Sequence, residues 1–147
     1  MYALSSPPPN LQKVFLTGKL EKVPQWSRLE EDLLPHIAAL PHLGHLSLTN
    51  AYVGKQLYFN TSFLKLTELW IRIFLQLNQI IIEKGVMPNL KYLYIDSCME
   101  LKIVPMGIEY LKNLQQPDLE SVLVELENRI CNVGFLKVQH IPKIYIW

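Results

Sequence analysis

The sequence predicts an α/β fold built by repetition, with short parallel strands laid side by side and each followed by an irregular or briefly helical return. Three observations predict it. The pattern L-x-x-L-x-L occurs five times with tolerated substitutions, at Leu11-Val14-Leu16, Leu43-Leu46-Leu48, Leu66-Leu69-Ile71, Leu90-Leu93-Ile95 and Leu114-Pro117-Leu119. The first anchors lie 32, 23, 24 and 24 residues apart, and the last three intervals fall within the period of about 20–29 residues that one strand plus its return requires. Within each copy two apolar residues flank a single residue of another kind, the period of two that puts one face of a strand into a core and the other into solvent.

The elements follow in order. Residues 1–10, MYALSSPPPN, read as an N-terminal loop, since Pro7, Pro8 and Pro9 break any helix there. Strands are expected near 12–17, 44–49, 67–72, 91–96 and 115–119. One-turn helices are expected near 29–40 and 106–113, and Pro24, Pro41, Pro88 and Pro105 punctuate the connections. The most regular copy is LKYLYIDSCMELKIVP, in which Cys98 stands three residues after Ile95 and Leu101 and Val104 continue the inward set. Pro117 takes a strand position usually given to Leu. Proline is tolerated mainly on edge strands, so the sheet is expected to end at or before that copy. Residues 120–147 are assigned as a C-terminal capping segment, with SVLVELENRI helical and KVQHIPKIYIW extended. Residues 11–119 thus read as a leucine-rich-repeat solenoid, a short horseshoe with its parallel sheet on the concave face and irregular or short helical arcs on the convex side.

Composition narrows the function. Half of the residues are hydrophobic and 18% charged, which excludes intrinsic disorder. A net charge of +1 offers no basic field for a phosphate backbone, so nucleic acid is not expected as a partner. Two cysteines, Cys98 and Cys131, are too few and too far apart for a disulfide framework or a metal knuckle, and suit a reducing compartment. The N-terminus has neither a basic nor an apolar signal region. The apolar run Leu64–Ile82 is interrupted by Lys65, Glu68 and Arg72, so no membrane span is expected. His36, His42, His45 and His140 form no ligand motif, the acidic run Glu30-Glu31-Asp32 suits a helix start, and no nucleophile elbow or phosphate-binding glycine loop occurs. Neither enzymatic activity, nor a cofactor, nor a metal is expected.

The outward strand positions supply the candidate site. One column reads Phe15, Ser47, Trp70, Tyr94 and Asp118, and the column two residues back reads Lys13, His45, Glu68, Tyr92 and Gln116. Lys13, Phe15, His45, Ser47, Glu68, Trp70, Tyr92 and Tyr94 are taken as a protein-binding concave face, because Trp and Tyr are enriched at interface hot spots. The competing explanation is that aromatic residues favour strands and stack on their cross-strand neighbours with no ligand at all.

The segments PPNLQKVFLTGKLEKVPQW, LPHLGHLSLTNAYVGKQLYF, EKGVMPNLKYLYIDSCMELKIVPMGIEYLKNL and VQHIPKIYIW resemble the C-terminal repeats of plant coiled-coil nucleotide-binding leucine-rich-repeat disease-resistance proteins. The resemblance covers roughly residues 7 to 147. It implies a cytoplasmic interaction module of an innate immune receptor that recognises a pathogen effector, a guarded host protein or the receptor's own domains. The nucleotide-binding switch of such receptors has no counterpart in this sequence. The resemblance also implies a missing repeat where Val23-Pro24-Gln25-Trp26 abuts Ser27-Arg28-Leu29, in keeping with the 32-residue interval. A truncated or spliced regulatory fragment that associates with full-length receptors is the alternative.

Overall fold

The computed structural model describes residues 10–17, 34–50, 55–120, 140–141 and 145–146. Eight strands form among them: β1 (Lys13–Thr17), β2 (His45–Thr49), β3 (Gln56–Phe59), β4 (Glu68–Arg72), β5 (Gln79–Ile82), β6 (Tyr92–Asp96), β7 (Gln116–Glu120) and β8 (Tyr145–Ile146). A five-residue helix, α1 (Leu34–Ala38), and a 3-10 turn at Ile108–Tyr110 complete the set. The chain is therefore α/β, dominated by parallel sheet with little helix, an arrangement compatible with leucine-rich repeats.

The main sheet has six parallel strands in the order β1-β2-β4-β6-β7-β8. The five strands expected from spacing all form, each within a residue or two of its expected bounds. Their register is the register of the sequence pattern: Lys13, His45, Glu68, Tyr92 and Gln116 lie in one row, and Phe15, Ser47, Trp70, Tyr94 and Asp118 in the next. The intervening residues point inward. Leu46, Leu48, Leu69, Ile71, Leu93 and Ile95 are all buried, as are the first anchors Leu43, Leu66, Leu90 and Leu114. Removing each such side chain from water contributes about 1.5–3 kcal/mol, which is why a slip of one residue, exposing a whole row, does not occur.

The core is shared with the return arcs, and here the structure departs from expectation. The arcs are not only irregular or helical, because β3 and β5 pair as a second parallel sheet with Leu57 opposite Ile80 and Phe59 opposite Ile82. Met106 extends this second sheet by a single bridge to Ile81. Those four side chains are buried in the same core as the main sheet. On the outer side of this second sheet, Gln56 Nε2 donates to Gln79 Oε1 at 2.6 Å and the Tyr58 hydroxyl donates to Glu83.

Pro117 also overturns an expectation. It does not end the sheet, for β7 pairs with β6 on one flank and β8 on the other. The reason is the alternation of amide direction along a parallel strand. Gln116 N–H donates toward β6, to Lys91 O, at 3.2 Å. The next amide position, that of Pro117, faces the opposite flank, where pairing with β8 starts only at Asp118. The missing N–H therefore costs the β6–β7 ladder nothing.

The expected helix over 29–40 narrows to α1, with residues 29–33 outside the described residues, and the helix over 106–113 narrows to the 3-10 turn. The loop of residues 1–9, the acidic run Glu30-Glu31-Asp32, the segment SVLVELENRI read as helical, and Cys131 also lie outside the described residues. At the far end of the chain, Ile141 is buried with the core and His140 Nε2 lies 3.1 Å from Leu111 O. Among the described residues, no helix is long and apolar enough to cross a membrane.

Candidate protein-binding face

Strand alternation sends every second side chain of β1, β2, β4, β6 and β7 to the side opposite the core. The eight residues singled out from the sequence all belong to this outward set, arranged in two adjoining rows. They do not contribute equally. Phe15 is 64% and Tyr92 42% exposed, whereas Ser47 is buried at 7%.

The fate of Ser47 follows from its size. Its row places it between Phe15 and Trp70, and a serine cannot bridge the gap between two large rings. His45, two residues earlier on the same strand, fills it. The imidazole centroid lies 5.0 Å from that of Phe15 and 5.7 Å from that of Trp70, and Trp70 in turn lies 4.8 Å from Tyr94. Four rings from four successive strands thus run across the sheet in tilted contact, within the spacing at which aromatic pairs attract.

Glu68 fixes the imidazole. The His45 Nδ1–H donates to Glu68 Oε2 at 2.9 Å, since a carboxylate only accepts. The proton is thereby assigned to Nδ1. Nε2 is buried, with no hydrogen-bond partner among the described residues.

Beside this run the sheet dips into a shallow hollow of about 300 Å³, lined by Glu68, Trp70, Tyr92, Leu93, Tyr94, Gln116 and Asp118. Gln116 and Asp118 were not among the candidate residues, although they stand in the same two columns 24 residues after Tyr92 and Tyr94. A third outward row was also passed over. Arg72 Nε donates to Asp96 Oδ2 at 3.3 Å, and Ser97 Oγ donates to Asp96 Oδ1 at 2.7 Å. The sequence signal for that row was its position two residues further along each strand. Among the described residues, no group of three or more His, Cys, Asp or Glu side chains is placed to hold a metal ion.

Comparison with known proteins places this face in context. No family model matches the chain. Over 92% of its length the chain is 39% identical to disease resistance protein RPM1 of Arabidopsis thaliana. Plant disease-resistance proteins are among its relatives. Disease resistance RPP8-like protein 3 of the same plant is 30% identical over 93% of the chain. Disease susceptibility protein LOV1, also from Arabidopsis thaliana, is 34% identical over 79% of it. The similarity is confined to a small part of each relative, for the chain spans 16%, 14% and 13% of their respective lengths.

Proposed function

We propose that the chain is a leucine-rich-repeat recognition segment of a plant disease-resistance protein, and that its outward sheet face binds a protein, either a pathogen effector or a monitored host protein. The observation that carries this reading is the ring run Phe15–His45–Trp70–Tyr94 with its adjoining hollow, an aromatic surface on a rigid sheet. Large rings with little rotamer freedom lose little entropy when a partner orders them, and they dominate interface energetics. The named role of the relatives in disease resistance supplies the biological setting.

In this reading the 23- and 24-residue steps build a solenoid, and residues 120–147 close its last turn. The segment acts in the cytoplasm by binding alone, without turnover. Whatever nucleotide-driven switch its relatives possess acts on the output of this face and not within it.

The test is affinity for secreted pathogen proteins and host proteins, measured by calorimetry on the wild type and on the Trp70→Ala/Tyr94→Ala double variant. Both side chains lie outside the core, so circular dichroism should show the same fold. A loss of about tenfold or more in affinity is expected, as for removal of hot-spot aromatics. Unchanged affinity in the folded variant overturns the assignment of the face.

A further inference from the structure

We propose that the hollow on β4, β6 and β7 receives an arginine side chain presented by the protein partner, its guanidinium lying on the aromatic rings and its edge meeting Asp118. This rests on the reading of the face as protein-binding and specifies what that face selects.

Size comes first. About 300 Å³ lies at the bottom of the range of small-molecule sites and suits a single side chain. The walls decide its character. Trp70, Tyr92 and Tyr94 line it with aromatic rings, and the negative quadrupole of a ring face attracts a cation placed over it. The two carboxylates of the lining are Glu68 and Asp118, and among the described residues no lysine, arginine or histidine lines the hollow beside them. Arg72, two residues along β4, is already paired with Asp96 in the next row. The hollow therefore combines aromatic walls with a negative rim.

Strand geometry then chooses between the two carboxylates. Asp118 shares the row of Trp70 and Tyr94, so a planar group lying over Tyr94 points its edge at Asp118. Glu68 lies diagonally across the hollow, with its Cα about 12 Å from that of Asp118 by strand spacing and rise, and accepts from the His45 imidazole at 2.9 Å, whereas the contact that Asp118 accepts from Gln116 Nε2 is longer, at 3.4 Å. Such a separation sets the two acids at opposite corners of the hollow. It suits a long side chain with an apolar stem and a flat charged end. Guanidinium fits better than ammonium because it is weakly hydrated, stacks on aromatic faces and offers donors around its edge to a carboxylate.

The experiment is a selection of random linear peptides on the intact chain, followed by titration of the selected sequences. Arginine enrichment is expected, with affinity falling about tenfold when that arginine is replaced by isosteric, uncharged citrulline. A similar fall is expected in Asp118→Asn, a variant that keeps shape and strand pairing. Peptides that require Trp70 and Tyr94 but show no dependence on arginine or on Asp118 overturn the proposal while leaving the binding face intact. Peptides that bind the Trp70→Ala/Tyr94→Ala variant as well as the wild type overturn the proposal and the face together.

Discussion

Each inner strand leaves the sheet through one residue in the left-handed region: Asn50 at φ 50°, Ile73 at 56° and Ser97 at 54°, immediately after β2, β4 and β6. Asn50 N–H donates to Arg72 O and Ile73 N–H to Asp96 O, both at 2.9 Å, so the bend also links neighbouring turns. Asparagine adopts this conformation readily. A β-branched residue does not, and Ile73 bears a cost of about 1–2 kcal/mol there. Since its side chain is 40% exposed, Ile73→Asn is expected to stabilise the protein by about 0.5–1 kcal/mol, read as a higher urea midpoint. Gly107 is the converse case. At φ 91° it sits against the Ile82 carbonyl, which a Cβ would overlap. Gly107→Ala is expected to cost about 3 kcal/mol, from left-handed strain plus a backbone clash. Cys98 illustrates burial of a titratable group. Desolvation pushes its thiol up to about 11, the Asp96 carboxylate adding to the shift and a Phe74 backbone hydrogen bond opposing it. Because the folded value exceeds the unfolded one, the associated stability is complete below about pH 8.5 and is lost as pH rises toward 11. Melting across that window should fall more steeply for the wild type than for Cys98→Ala. An equal slope would remove the thiol as its cause. At this scale the outward residues were legible from the period of two, while the left-handed positions were not, because isoleucine at 73 gives no compositional sign of a bend.

Strands as units show where pattern reading succeeds and where it needs geometry. The inner strands could be placed because each leucine repeat marks both the start and the facing of its strand. Pro117 misled because the rule that confines proline to edges concerns whether a ladder bond is lost, and that depends on which flank the amide faces. The consequence can be tested by moving the proline one position. The double substitution Pro117→Leu/Asp118→Pro directs the missing donor into the β6–β7 ladder and is expected to lower stability by about 3 kcal/mol. Pro117→Leu alone should change stability far less, and equal effects on thermal unfolding would refute the flank explanation. The second sheet was missed for another reason. The runs QLYF and QIII are only four residues long, and such runs do not distinguish a strand from an apolar stretch of arc. Side-chain stitches between arcs were equally invisible singly. Asn89 Nδ2 donates to Leu64 O at 2.6 Å and Asn113 Nδ2 to Pro88 O at 2.7 Å, each reaching back one repeat from the residue before an anchor leucine.

Across the molecule, the main sheet is a file in which a strand is paired only with the strands on its two sides. Stability is accordingly transmitted from neighbour to neighbour. Amide exchange should be slowest in β4 and β6, which have described partners on both flanks and fully buried inward residues. β1, whose described partner is β2 alone, should exchange faster. Uniform protection over the sheet would contradict this one-dimensional picture. The outward face proposed to bind was legible at this scale because repetition converts a column in the sequence into a row in space. The hollow was not, since it depends on how far Trp70, Tyr92 and Tyr94 stand above Leu93 and Gln116, a matter of packing and not of spacing.

The step between β1 and β2 is 32 residues long, whereas those that follow are 23 and 24, yet Lys13 still meets His45 and Phe15 still meets Ser47. The different length of this step leaves no trace on the row. Small insertions and deletions in such a return are expected to be silent with respect to the face, whereas point changes at outward strand positions alter that face without touching the core. Two kinds of heritable variation thus fall on different sides of the same molecule.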